Sequence, residues 1–182
     1  MKTAEILITA AEKMGAPNGL IGVIKTPTLQ ATNELMKHKD TSLILATGGE
    51  AMVKAAYSSG TPAIGVGPGN GPAFIERSAD VKLAVKRILD SKTFDNGVIC
   101  ASEQSIVTES IIRNDVIAEL KKQGAYFLNR EESDKVGSIL MRANGTMSPK
   151  IVGKTAVYIA EMAGVSVPSD TRVLISEERE VS

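Results

Sequence analysis

Apolar and polar positions follow two different periods along the first third of the chain. Near the N-terminus, apolar residues recur at helical spacing, and Gly15 ends that helix; its apolar face consists of Ile6, Leu7, Ala10, Ala11 and Met14. Short and almost wholly apolar runs then predict strands at 20–24, 42–47 and 62–67. Amphipathic segments between these runs predict connecting helices. This β-α-β-α-β order with short links predicts a doubly wound parallel sheet.

The character of the chain changes near 72–78, where we place a boundary between two lobes, residues 1–72 and 73–182. A long helix over about 80–91 follows, with Val85 and Ile88 on its apolar face. Beyond it strands and helices alternate again, with strands predicted at 105–109, 125–128, 150–153 and 172–176. The pattern over the whole chain is therefore of the α/β class.

Composition and charge exclude several classes of partner. The chain has 182 residues, with Lys+Arg and Asp+Glu equal at 21 each, so a basic surface for nucleic acid or anionic lipid is not expected. Aromatic residues make up 3%, which disfavours base-stacking platforms. A single cysteine excludes a disulfide framework and a multi-cysteine zinc site, and it is typical of a reducing cytoplasm. No apolar run reaches membrane-spanning length, so we expect no membrane partner and no metal site.

Two glycine-rich segments could approach a ligand closely. The segment "ATGGE" (46–50) follows a strand and opens a helix, where backbone N–H groups could hold a phosphate. On this short stretch alone an ordinary strand-to-helix turn is the preferred interpretation. The segment "GVGPGNGP" (65–72) does not satisfy the dinucleotide fingerprint GxGxxG, and it predicts either a hinge or a close backbone approach.

The segment "SKTFDNGVICASEQ" (91–104) holds Cys100. Asp95, Asn96 and Gly97 predict a turn, and the small residues after the thiol leave room for a substrate. A free cysteine is often a buried small hydrophobe, so the local sequence leaves packing and reaction equally open. His38, the sole histidine, lies near the end of a predicted surface helix between two lysines, which disfavours a Cys–His pair.

Four motifs in order resemble the aldehyde dehydrogenase superfamily and, within it, the CoA-acylating branch. They are "GAPNGLIGVI" (15–24), "ILATGGEAMVKAA" (44–56), "AIGVGPGNGPAFIERSAD" (63–80) and "SKTFDNGVICASEQSIV" (91–107). The resemblance implies a three-layer α/β fold, in which a partial Rossmann-like parallel sheet is followed by the start of an α/β catalytic lobe. It implies that residues 1–72 are the later part of the NAD-binding lobe and 73–182 the first part of the catalytic lobe.

The resemblance also implies roles for single residues. Cys100 matches the catalytic thiol, which forms a thiohemiacetal and then a thioester. The residues matching the cofactor-binding segments are Thr47, Gly48, Gly49, Gly67, Gly69 and Asn70. Hydrolytic members have a water-activating glutamate in the segment corresponding to 65–72, and this segment has no carboxylate. A thioester at such a site survives until another thiol takes the acyl group.

The implied reaction converts a short-chain aldehyde, coenzyme A and NAD reversibly to an acyl-CoA and NADH. The resemblance further implies a homo-oligomer in the cytoplasm or in a bacterial microcompartment. The alternatives are a non-catalytic unit that serves assembly, and another nucleotide-binding α/β domain with an incidental cysteine. The four ordered motifs argue against the last of these.

We expect weak NAD binding and little or no turnover from the 182 residues alone. The reason is that both ends of the chain look like cuts through a longer one, and family members have further segments on either side. Measuring NADH formation by the purified chain with an aldehyde, CoA and NAD tests this expectation. Sustained reduction of NAD would contradict it.

Overall fold

The computed structural model describes residues 1–67, 69 and 71–178, which form seven α-helices and six short β-strands. The helices are α1 (Lys2–Lys13), α2 (Leu29–Lys37), α3 (Glu50–Tyr57), α4 (Val81–Thr93), α5 (Arg113–Lys122), α6 (Arg130–Leu140) and α7 (Ala156–Met162). The strands are β1 (Ile44–Thr47), β2 (Ala63–Val66), β3 (Gly71–Ile75), β4 (Glu103–Thr108), β5 (Ala125–Phe127) and β6 (Val173–Ile175). The predicted α/β class is confirmed.

The chain divides into two compact units, Met1–Pro68 and Gly69–Ser182. Within the described residues the strands pair as three two-stranded parallel sheets, β1 with β2, β3 with β4, and β5 with β6. Each pair is joined by at least one helix, as a parallel connection requires. The first unit therefore has the predicted strand–helix–strand order around α3.

The first unit has a small core. Ile44 and Ala46 of β1 pack with Ala56 of α3, and Met36 of α2 lies against them. The Thr61 hydroxyl also donates to the Met36 carbonyl at 2.7 Å, which ties α2 to the start of β2. Outward-facing residues of the same strands, such as Leu45 and Ile64, are exposed.

The core of the second unit is larger and forms around α4. Val85 and Leu89 lie against Ile75 of β3 and against the buried face of α5, which carries Val116 and Leu120. A second cluster joins α6 and α7 through Val136, Ala160 and Val165. Three of the helices of this unit begin with side-chain caps, at Asp80, Asn129 and Thr155, and Asn129 with Glu132 makes the reciprocal bonds of a capping box.

Two strand predictions are wrong. Residues 20–24 lie in an irregular segment after a left-handed Gly19, because no described strand pairs with them and most of their apolar side chains are exposed. Residues 150–153 form turns that end at a left-handed Gly153. In both segments a short apolar run lacked the neighbouring ladder on which a strand depends.

Strand β3 begins within the glycine- and proline-rich segment 65–72, for which the sequence predicts a hinge or a close backbone approach and no strand. Pro72 cannot donate to a ladder, and the register with β4 shifts between Gly71 and Pro72. The remaining residues, Ala73–Ile75, pair in register with Ile106–Thr108.

Leu89→Ala should destabilise the second unit by about 2–5 kcal/mol, because it leaves a cavity in a closely packed core. Leu89 is 1% exposed, whereas Leu83 on the same helix is 42% exposed. Urea unfolding of the two Leu→Ala variants compares them directly. Equal losses of unfolding free energy would contradict the assigned core.

Candidate active site

The thiol of Cys100 lies exposed in a tight turn between α4 and β4. The Ser102 backbone N–H closes this turn by donating to the Ile99 carbonyl at 3.2 Å, and the Ser102 hydroxyl donates to the same carbonyl at 3.0 Å. Ser102 is 1% exposed, whereas Cys100 is exposed, so the turn is anchored by a buried residue next to an accessible one. The interpretation of Cys100 as core filling is therefore wrong.

The chain enters this turn through three consecutive left-handed residues. Asp95, Asn96 and Gly97 have φ values of 52°, 49° and 72°, and left-handed non-glycine residues are uncommon outside constrained sites. The Asn96 side chain donates to the Gly153 carbonyl at 2.9 Å, which holds the left-handed run against a distant turn of the same unit. The turn predicted from Asp95-Asn96-Gly97 is confirmed, in a tighter form than composition indicated.

A polar cluster lies beneath the turn. Lys92, in the last helical turn of α4, donates through Nζ to Gln104 Oε1 at 2.8 Å. Burial lowers the pKa of Lys92, and the nearby Glu103 carboxylate opposes that shift. Glu103 Oε2 is buried and has no hydrogen-bond partner within the described part of the chain.

A second group of predicted residues lies at one edge of the first unit. Thr47 ends β1 and pairs with Val66 of β2, and Gly67 follows directly, so the carboxyl ends of both strands meet there. The Gly48 N–H donates to the Val66 carbonyl at 3.2 Å, and Gly49 is the N-cap of α3. Because glycine has no capping side chain, the first N–H groups of α3 remain available to a ligand.

Gly69 and Asn70 are the other residues that match the cofactor-binding segments in sequence. Gly69 belongs to the second unit, where it precedes β3. Asn70 lies outside the described residues, so its assignment stays a prediction. His38 follows α2 in the first unit, where its Nδ1 accepts the Asp40 N–H at 3.3 Å.

Clusters of metal-ligating side chains and membrane-spanning helices are both absent from the part of the chain that the structure describes. In that part, no cluster of three His, Cys, Asp or Glu side chains could hold a metal ion. None of its helices has the length and the apolar character needed to cross a bilayer.

The model of the aldehyde dehydrogenase family matches residues 1–152. The chain belongs to the aldehyde dehydrogenase family. It is 51% identical over 174 residues to an aldehyde-alcohol dehydrogenase of Clostridium acetobutylicum, covering 96% of this chain and 20% of that protein. The family assignment confirms the resemblance drawn from the four motifs.

Two solved structures of this family superpose closely on the chain. An acetylating aldehyde dehydrogenase of Geobacillus thermoglucosidasius is 57% identical, with a TM-score of 0.92 over 100% of this chain and 40% of its own. A propionaldehyde dehydrogenase of Rhodopseudomonas palustris, solved with bound CoA and an acylated cysteine, is 31% identical, with a TM-score of 0.86 over 97% of this chain and 40% of its own. The predicted aldehyde dehydrogenase-like fold is therefore confirmed. The chain spans about a fifth of the Clostridium relative and two fifths of the solved ones.

Several residues that shape these sites of the aldehyde dehydrogenase chain were missed by sequence reasoning. Lys92 and Gln104 are twelve positions apart and belong to a helix and a strand, so no periodicity connects them. A Cβ at Gly65 would lie 2.5 Å from Val53 Cγ1, and only glycine lets α3 pack this closely on β2. The alternating glycines of 65–72 were the available signal for Gly65.

Gly97→Ala should cost more stability than Gly145→Ala. Both glycines are left-handed, at φ 72° and 75°, so both substitutions carry a backbone penalty of about 1–2 kcal/mol. Only a Cβ at Gly97 would meet Lys92, 3.2 Å from its Cε and Nζ, whereas Gly145 has open space. Urea unfolding of the two variants measures the difference, and equal losses of unfolding free energy would contradict the prediction.

Proposed function

We propose that this chain carries the nucleophile and part of the cofactor edge of a CoA-acylating aldehyde dehydrogenase. The observation that carries the proposal is the exposed Cys100 on a turn held by hydrogen bonds from the buried Ser102. Cys100 is the only cysteine of the chain, and the Rhodopseudomonas palustris relative has an acyl group on a cysteine with CoA bound. We infer that Cys100 is the residue acylated here.

In the forward direction the Cys100 thiolate attacks the aldehyde carbonyl carbon, and a carbon–sulfur bond forms as the carbonyl oxygen becomes an oxyanion. No partner for the Cys100 N–H is found among the described residues, so this group is free to donate to that oxyanion. Fixed backbone donors of this kind stabilise developing negative charge without reorganisation. The turn closed by Ser102 supplies that fixity.

The absence of a carboxylate in 65–72 decides the fate of the resulting thioester. Water needs a general base to attack a thioester efficiently, whereas a thiolate is a strong nucleophile by itself. The CoA thiolate attacks the thioester carbonyl, a new carbon–sulfur bond to CoA forms, and the Cys100 thiolate leaves. The product is acyl-CoA, and Cys100 returns to its starting state.

A nicotinamide dinucleotide, when bound, accepts the hydride that converts the thiohemiacetal to the thioester. The edge formed by Thr47, Gly48, Gly49 and Gly67 fits the pyrophosphate of such a cofactor, because the uncapped start of α3 offers backbone N–H groups. Glu50 in the first turn of α3 offsets part of the favourable helix-end potential. We propose NAD as the dinucleotide, and the assignment of Gly69 and Asn70 to its binding stays a prediction from the sequence.

Acyl transfer from acetyl-CoA to Cys100 tests the proposal without any dinucleotide. The whole 182-residue chain should gain one acetyl group on Cys100 and release one CoA thiol, at a rate above that of the free peptide SKTFDNGVICASEQ. Mass spectrometry locates the group, and a thiol reagent quantifies the released CoA. Cys100→Ser should remove the rapid phase.

Two outcomes would overturn the proposal. One is acetylation of the chain no faster than that of the peptide, since the folded turn would then add nothing to the thiol. The other is acetylation at lysines in place of Cys100. A matched control is Ser110→Ala, which removes a hydroxyl from an exposed position after β4 and should leave the rate unchanged.

A further inference from the structure

We propose that Lys92, Gln104 and Ser102 form a one-directional hydrogen-bonded chain that positions the Cys100 turn and polarises the Ile99–Cys100 peptide for acyl transfer. This inference rests on the proposed role of Cys100 as the nucleophile. The three side chains are positioning residues, since none of them is the group that forms the bond to the substrate.

The hydrogen-bonded chain runs from the last turn of α4 to the peptide group that precedes the thiol. Lys92 Nζ donates to Gln104 Oε1 at 2.8 Å. Gln104 Nε2 lies 3.3 Å from the Ser102 carbonyl oxygen and 3.4 Å from the Ser102 hydroxyl. The Ser102 hydroxyl in turn donates to the Ile99 carbonyl at 3.0 Å. Each link therefore passes from a donor to an acceptor in the same direction.

Lys92 sets that direction. An ammonium group offers donors only, so the Gln104 amide must present its oxygen to Lys92 and its NH₂ group to Ser102. The Ser102 hydroxyl then accepts from Gln104 and points its own hydrogen at the Ile99 carbonyl. A side chain without an ammonium group at position 92 would leave the Gln104 amide free to rotate, and the hydrogen bonds would no longer all point in one direction.

The chain ends on the peptide group whose N–H belongs to Cys100. The Ile99 carbonyl accepts two hydrogen bonds from Ser102, one from the backbone and one from the hydroxyl. Hydrogen bonds in a row polarise one another, and a donor at a peptide oxygen strengthens the N–H of the same peptide as a donor. The Cys100 N–H is thereby both held in place and made a better partner for an oxyanion.

Contacts on several sides hold the Lys92 ammonium, the first group of the hydrogen-bonded chain. Lys92 packs against Gly97, where a Cβ would lie 3.2 Å from its Cε and Nζ. The Glu103 carboxylate interacts favourably with the Lys92 ammonium and opposes the effect of its burial. The Lys92 ammonium, at the end of α4, is therefore contacted both by the left-handed run and by side chains of β4.

Two reactions of Cys100 distinguish this role from a merely structural one. Acylation by p-nitrophenyl acetate passes through an oxyanion: the thiolate attacks the carbonyl, the ester carbon–oxygen bond breaks, and p-nitrophenolate leaves. Alkylation by iodoacetamide displaces iodide and forms no oxyanion. Both consume the thiolate, so the ratio of their rates cancels changes in thiol ionisation and exposure.

In the 182-residue chain, Lys92→Met and Gln104→Glu should each lower the ratio of acylation to alkylation by about 3- to 10-fold, as expected when polarisation of a hydrogen-bond donor is lost. Gln104→Glu keeps an acceptor for Lys92 and removes the NH₂ donor, and its exposed position makes folding of the variant secure. Combining Lys92→Met with Ser102→Ala should lower the ratio little more than either change alone, because both break one chain.

Lys82→Met is the matched control, with the same substitution at an exposed position of the same helix, and it should leave the ratio unchanged. An unchanged ratio of acylation to alkylation in both test variants, whether or not both rates fall together, would overturn this inference alone. A wild-type chain whose Cys100 is acylated no faster than the free peptide would overturn the proposed function as well. Circular dichroism and thermal midpoints verify that each variant is folded.

Discussion

The packing of α4 against the β3–β4 pair is the constraint on which the second unit depends. Val85 and Leu89 are buried against Ile75 and against the inner face of α5, so one helix joins strand and helix layers. Burial of such side chains provides most of the stabilisation available to a unit of this size. Because α4 is fixed by its apolar face, its last turn delivers Lys92 and the left-handed run to a defined place.

A polar tie holds the same end of α4. The Arg172 guanidinium, just before β6, donates to Asp90 at 2.9 Å and to the Thr93 hydroxyl at 3.0 Å. The Asp90 carboxylate also accepts from Lys86, and these two cations lower its pKa, Lys86 having the larger effect. Partly exposed ion pairs contribute little to the free energy of unfolding, so these bonds matter more for the position of the end of α4 than for stability. They set where the helix ends and the Cys100 loop begins.

The Cys100 turn combines exposure with restraint. The thiol is open to solvent, whereas Ser102 behind it is almost wholly buried. The left-handed run of Asp95, Asn96 and Gly97 is held by the bond from the Asn96 side chain to the Gly153 carbonyl, and Lys92 of α4 lies against Gly97. Such strain persists where the surroundings determine it several times over, and it concentrates at sites that do chemistry. A loop without the bonds from Ser102 to the Ile99 carbonyl would offer the same thiol on an unrestrained backbone.

Much of this protein follows from its sequence, because helical periodicity, caps and turn residues act within a few positions of one another. The helix that ends at Gly15, the helix over about 80–91 and the turn at 95–97 could be predicted in this way, and the family of the chain could be predicted from its four ordered motifs. Tertiary structure decided the rest. Residues 20–24 are apolar enough for a strand yet have none in the described chain to pair with, and the proline in β3 hid a strand that β4 completes. The choice between a packed and an exposed Cys100, and the bonds from Lys92 through Gln104 to Ser102, depend on groups that only the folded chain brings together. Helices and turns depend on residues a few positions apart in the sequence. The exposure of a side chain and its long-range hydrogen bonds depend on residues that are distant in the sequence and meet only in the folded chain.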